Sequence, residues 1–217
     1  MVHLKKNKMP RTWPVQRKKD KFVAVPSHAT SKGISILFLL RDILNIAKTR
    51  KEAKFMTLNG LVKVNDIIRK NENFPVQVND SFSLVKSEEY YRLEIMNKRY
   101  TLKKISEKDS QIKIIKISGK KSFGKDSTQM SLRDGQNIIT KESFSIGDSV
   151  IFNSKERKIV KILPLKIGAK IEIVVGKHAG KKGKLVGFED LSRGRDYKVK
   201  LENKEVILPF KTILVIE

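Results

Sequence analysis

Ile171-Glu172-Ile173-Val174-Val175-Gly176-Lys177-His178-Ala179-Gly180-Lys181-Lys182-Gly183-Lys184-Leu185-Val186 is the stretch on which the architecture turns. Its apolar start reads as a strand, and Leu185 with Val186 resumes one after a polar interval. Glycines at 176, 180 and 183 leave the intervening backbone without side-chain shielding. Lys177, His178, Lys181, Lys182 and Lys184 load it with donors, so a phosphodiester backbone can approach closely. The plain alternative is a flexible basic hairpin, since Gly-rich turns are common in hairpins generally.

Around this loop the pattern is that of short strands. From Gly168 onward, Lys170 to Val175, Lys181 to Glu189, Asp196 to Leu201, Glu205 to Pro209 and Thr212 to Ile216 alternate as strands do, which is the strand count of a five-stranded SH3-like barrel. Upstream, strands are expected at Tyr91 to Met96, Arg99 to Ile105, Gln111 to Ile117, Asn137 to Thr140, Ser149 to Phe152 and Arg157 to Leu163. Turn clusters such as Ser118-Gly119-Lys120, Arg133-Asp134-Gly135 and Ile146-Gly147-Asp148 separate them. Regular short strands of this kind predict a small barrel or sandwich.

Further toward the N-terminus the period becomes helical. Ile36, Leu37, Leu39, Leu40, Ile43, Leu44 and Ala47 recur at helical spacing, and Thr49-Arg50-Lys51-Glu52 is a Thr-x-x-Glu capping box that starts a second helix. Asn59-Gly60 ends it, and Leu61 to Asp66 alternates into a hairpin. Arg41, Lys48, Arg50, Lys51 and Lys54 cluster about the inter-helix turn, where the helix N-terminus beginning at Thr49 adds backbone donors for a phosphate. Lys63, Asn65, Arg69 and Lys70 continue the positive surface. For any single lysine here, a solvated surface charge is the simpler reading.

Residues 1–33 carry Lys5, Lys6, Lys8, Arg11, Arg17, Lys18, Lys19 and Lys21 with three prolines and no sustained apolar period, so they are expected to be extended and mobile when alone. Trp13, between Arg11 and Arg17, offers a stacking surface within a cationic strand. Its other role would be to dock the segment onto the body of the protein.

Composition sets the class of partner. Lys and Arg number 47 against 23 Asp and Glu, a formal net charge of +24, so the surface repels itself unless a polyanion neutralises it. Hydrophobic residues at 39% and aromatics at 7% suit several small cores better than one large one. The longest apolar run, Ile34 to Leu40, is interrupted by Ser35 and falls far short of the ~20 residues that cross a bilayer, so no membrane partner is expected. Met-Val-His-Leu-Lys-Lys lacks an apolar signal core, and cytoplasmic residence is the expectation. Cysteine is absent, which excludes disulfides, thiolate zinc sites and Cys nucleophiles.

Three resemblances converge. The Gly-Lys-rich stretch resembles the KOW motif of ribosomal and transcription-elongation proteins. Arg41-Asp42-Ile43-Leu44, Ala47-Lys48-Thr49, Glu52-Ala53 and Asn59-Gly60-x-Val62-x-Val64-Asn65 look like the αL RNA-binding motif. Their order, behind His-Leu-Lys-Lys and Pro-Arg-Thr-Trp-Pro-Val and around Gln129-Met130-Ser131-Leu132-Arg133-Asp134-Gly135-Gln136-Asn137-Ile138, resembles the layout of the ribosomal protein S4e family of archaea and eukaryotes. That resemblance implies an α+β, mainly β fold. It comprises a basic arm (1–33), an αL module of two helices plus a hairpin (34–93), a central small β-barrel-like domain (94–165) and a C-terminal SH3-like KOW barrel (166–217). The implied partners are 16S-type rRNA of the small subunit and neighbouring ribosomal proteins. No cofactor, metal, small-molecule substrate or obligate homo-oligomer is expected.

Two other classes compete. An RNA-modifying enzyme would need a catalytic half, yet His3, His28 and His178 stand in basic or flexible settings without a metal-binding or base-positioning motif. Gly119-Lys120-Lys121-Ser122 lacks the spacing and following helix of a phosphate loop and reads as a basic turn. A transcription-elongation or chromatin factor would use the KOW loop but leaves the αL module and arm unexplained.

Overall fold

The computed structural model describes residues 3–18, 21–28, 30, 32–124, 127–191, 194–201 and 204–217; Lys19 lies outside the described residues. It is mainly β with few helices, and it divides into two compact units, residues 1–113 and 114–217. No helix among the described residues is long and apolar enough to cross a membrane.

In chain order the first unit comprises β1 (Leu4–Lys5), β2 (Phe22–Val23), β3 (Gly33–Ser35), α1 (Ile36–Phe38), α2 (Arg50–Leu58), β4 (Val62–Val64), β5 (Ile67–Ile68), β6 (Pro75–Gln77), β7 (Ser81–Leu84), β8 (Glu89–Met96), β9 (Arg99–Ile105) and α3 (Glu107–Ser110). Five strands form one antiparallel sheet in the order β5-β4-β7-β8-β9, while β1 pairs with β2 and β3 with β6. The helical period at 36–47 produces only one α turn before the helix widens over Leu39–Ile43. Leu44 N donates to Leu39 O, five residues back, at 2.9 Å, the mark of a π turn. Ile36, Leu37, Phe38, Leu39 and Leu40 are all buried, so the apolar run packs on nearly every side rather than along one stripe.

The hairpin after α2 is shorter than the alternation predicts. β4 stops at Val64 because Asn65 and Asp66 take φ of +51° and +64°, a two-residue turn of the primed type that Asn and Asp tolerate. The expected boundary at 93/94 falls within β8, whose register with β9 runs from Tyr90↔Ile105 to Met96↔Arg99, so that hairpin belongs to the first unit's sheet.

The N-terminal segment is not a free arm. Leu4, Met9 and Trp13 are buried, and Tyr100 N donates to Thr12 O at 2.8 Å. Trp13, 2% exposed, lies with its ring 5.3 Å from that of Phe38. Three spaced apolar side chains are enough to hold a segment whose composition otherwise reads as mobile.

β10 (Ile112–Phe123) starts just before the unit boundary. It lies in a sheet with β11 (Ser127–Leu132), β12 (Asn137–Thr140), β13 (Ser149–Asn153) and β14 (Lys158–Leu163), ordered β12-β11-β10-β13-β14. Ser118-Gly119-Lys120 is therefore no turn. It sits inside β10 at a bulge, where the register steps between Ile117↔Leu132 and Gly119↔Ser131. The following basic stretch at 120–122 is strand as well, paired with Thr128, Gln129 and Met130.

β15 (Lys170–Ile173), β16 (Lys182–Leu191), β17 (Gly194–Lys200), β18 (Glu205–Pro209) and β19 (Ile213–Val215) form the last sheet, in the order β18-β17-β16-β15-β19. Ile171, Ile173, Leu185, Tyr197 and Val199 fill its core. Lys116, on β10, is buried. Its Nζ donates to Phe210 O and, at 3.1 Å, to Ile213 O, and it stands 3.6 Å from the centre of the Phe210 ring.

Candidate nucleic-acid interface

The Gly-Lys loop between β15 and β16 is a closed structure. Gly180 N donates to Ile173 O at 2.7 Å, Lys181 N to His178 O at 3.1 Å and Ala179 N to Gly176 O at 3.2 Å, with Ala179 buried beneath. Gly176 (φ +104°) and Gly180 (φ +86°) hold conformations that disfavour side chains. The third glycine does different work. A Cβ at Gly183 would come within 2.6 Å of Lys200 O, so this residue lets β16 lie against β17 rather than opening the loop to a ligand.

The loop borders a concavity of about 590 Å³ lined by Lys177, His178, Gly180, Lys181, Lys182, Leu201 and Lys204. Lys204, in the connection between β17 and β18, was missed by the sequence reading. The signal available was the pairing of a strand after Lys181 with one rich in lysine, which brings the next turn beside the loop; in the structure Lys184 stands opposite Lys200. Four lysines line one hollow together with an imidazole and a leucine, donors of the kind that meet phosphate oxygens.

In the helical module the capping box forms. Thr49 Oγ1 accepts from Glu52 N at 3.3 Å, and the Glu52 carboxylate accepts from Lys48 N at 2.8 Å and from the Thr49 hydroxyl at 3.0 Å. These bonds, chiefly that from Lys48 N, hold the Glu52 carboxyl below its ordinary range. Two donors expected to bind phosphate are thus already occupied by the protein's own groups, and an anion would meet the exposed side chains of Lys48, Lys51 and Lys54 instead. Thr49→Ala is expected to lower stability by about 1 kcal/mol through loss of the cap, read as a lower urea midpoint with unchanged slope.

Other polar and basic residues of the module already have partners within the protein. Arg41 makes a bidentate pair with Asp42, the shortest contact 2.9 Å, and Arg50 binds the buried Glu72 at 2.8 Å. Lys63 lies 3.6 Å from Asp66. Asn65 uses both ends of its amide internally, donating to Asp80 at 3.0 Å and accepting from Ser81 N at 3.0 Å. Arg69 stacks on Phe74 at 4.2 Å, and burial lowers its pKa. Asn65 and Arg69 are therefore parts of the framework, whereas Lys70 is exposed.

In the N-terminal segment Lys5, Arg11, Arg17 and Lys18 are exposed, although Arg17 also donates to Met9 O at 3.1 Å. Lys6 is buried, 8% exposed. Trp13 cannot serve as a stacking platform in this conformation, since its ring faces Phe38 and not solvent. The segment, α1, its π turn, the start of α2 and residues 71–73 border an open cleft of about 900 Å³ whose wall includes Lys6, Lys18, Arg41, Arg50, Asn71 and Asn73.

Comparison with known proteins gives one consistent answer. The family model described as Ribosomal family S4e matches residues 87–159. The small ribosomal subunit protein eS4 of Methanosphaera stadtmanae is 35% identical over 207 residues, spanning 94% of this chain and 86% of that protein. The eS4 of Archaeoglobus fulgidus is 30% identical over 207 residues, spanning 94% and 87%. Among solved structures, the 30S ribosomal protein S4e of Thermoplasma acidophilum superimposes with a TM-score of 0.74 at 22% identity, covering 85% of this chain and 95% of that one.

Proposed function

The chain belongs to the S4e family of ribosomal proteins, and on that premise we propose that it is a structural, non-catalytic component of the small ribosomal subunit that binds 16S-type rRNA beside neighbouring ribosomal proteins in the cytoplasm. The contacts are directed at phosphates. They come from the exposed cations of the N-terminal segment (Lys5, Arg11, Arg17, Lys18), from Lys48, Lys51, Lys54 and Lys70 of the αL module, and from Lys177, His178, Lys181, Lys182 and Lys204 about the KOW loop. The last sheet, β15 to β19, acts as the SH3-like barrel that presents this loop, and β10 to β14 as the small barrel-like central domain.

The observation that carries this reading is the lysine-lined hollow at the C-terminal loop, on a chain with a net charge of +24. Such a surface is complementary to a polyanion and has no use for a neutral ligand. The purified full chain, titrated with small-subunit rRNA and with duplex DNA of equal length, is expected to prefer the RNA and to lose affinity steeply with salt. Equal or better binding to DNA would sink the ribosomal assignment in favour of a chromatin or elongation role. Absence from small-subunit fractions of a sedimented lysate would do the same.

A further inference from the structure

The sheet formed by β10, β11 and β12 has one face in the core and one face bare. Met130 and Leu132 point inward and pack with Ile117, Phe144 and Val150. The alternate residues of the same strands make the other face, and the register fixes their neighbours: Phe123 opposite Ser127, Lys121 opposite Gln129, Gly119 opposite Ser131, then Gln129 opposite Ile139 and Ser131 opposite Asn137. Phe123 is 54% exposed and Ile139 56%. Neither was assigned a role from the sequence, which read 118–122 as a turn and Asn137 to Thr140 only as a strand.

We propose that this face is a second RNA-binding site, taking single-stranded RNA whose bases stack on Phe123 and Ile139. The inference rests on the reading that the chain works on RNA, and it adds the form of RNA and the residues that take it. Three features favour this occupant. A phenyl ring and an aliphatic side chain on an open sheet suit unstacked base faces, which an A-form duplex keeps inside its stack. Lys121 stands on the same row system to meet the backbone, and the paired rows contain no acidic side chain. Ser127, Gln129, Ser131 and Asn137 supply short donors and acceptors for base edges, and Gly119 leaves its row flat. Lys120 points the other way, its Nζ donating to Phe144 O at 2.9 Å, so it closes the core and leaves Lys121 as the outward cation.

The test uses the full chain with two labelled probes, an oligouridylate and a fully paired RNA hairpin, followed by fluorescence anisotropy. Phe123→Ala is expected to weaken oligouridylate binding about tenfold, the loss of one stacked base, and Ile139→Ser to weaken it about threefold through loss of apolar contact, while both leave the hairpin affinity unchanged. Phe123→Trp retains stacking, so it should bind oligouridylate as the wild type does, and its added emission should be quenched on binding. Oligouridylate affinity that is absent in the wild type, or indifferent to both truncations, overturns the proposal. So does a face whose variants fail only in incorporation into small subunits, which would mark a protein partner. A chain that binds neither probe removes the proposed function itself, whereas hairpin binding with insensitive oligouridylate binding removes this inference alone.

Discussion

Replacing Lys177, Lys181 and Lys182 together by alanine is expected to lower the affinity for small-subunit rRNA on the order of a hundredfold at 0.15 M salt. Each phosphate contact contributes about 0.9 log units per tenfold change in salt on a duplex, and 0.15 M lies about 0.8 decades below 1 M, so three contacts amount to about two log units. The slope of log affinity against log salt should flatten by up to about 2.7, and by about 2.1 on single strands. Adding Lys204→Ala, which removes the fourth lysine of the hollow, should flatten it by about one further contact. All four side chains are exposed, so the variants should fold, as near-native urea midpoints would confirm. An unchanged salt slope would show that the hollow faces solvent in the complex.

The positive surface holds fewer cations than the 47 Lys and Arg in the sequence, because some of them serve the architecture. Arg50 neutralises the buried Glu72, and Lys113 meets Asp80 at 2.6 Å with both side chains buried. Lys116 and Arg133 bind main-chain carbonyls of the segment around Lys211. A buried pair of this kind adds little net stability but is costly to break. Under the proposed function, phosphate contacts therefore fall mainly to exposed lysines, whose compact charge on a flexible stem suits a phosphate backbone without sequence preference.

Several elements were legible because a local interaction determines them. The Thr49–Glu52 box is written in four consecutive residues, and β9, β12 and β18 have the bounds their alternation predicts. What tertiary packing decides was not legible. Trp13 reads as a free aromatic among cations until the fold supplies Phe38 beside it. β11, Ser127–Leu132, has only Met130 and Leu132 as apolar residues, too few to mark a strand. The stretch 118–122 carries the glycine and lysines of a turn, and it remains extended because β11 pairs along it. At the candidate site the loop cations were read directly, while Lys204 required the strand pairing, and the internal roles of Asn65, Arg69 and Gly183 required their neighbours.

The stability of the second unit is expected to depend on pH through Lys116. Burial, with Arg133 nearby, pulls this amine down to about 7 from its ordinary 10.5, although two carbonyls and the Phe210 ring favour its charged form. Between those two values the unfolded chain holds a proton that the folded one has released. Stability therefore rises with pH across that window, and what is gained is lost again as pH falls through about 7. From pH 6 to pH 9.5 the gain is on the order of 3 kcal/mol. Lys116→Met keeps the length of the side chain and removes both the titration and the donor. Taking the donor from two carbonyls costs about 1–3 kcal/mol for each left unsatisfied, while removing a buried cation relieves a penalty of similar size at low pH. The variant should therefore lie near wild type at pH 6 and fall several kcal/mol below it at pH 9.5. Urea denaturation of both proteins at the two pH values reads this directly. A difference between them that does not grow with pH would mean that Lys116 stays protonated in the fold, with the carbonyls and ring outweighing its burial.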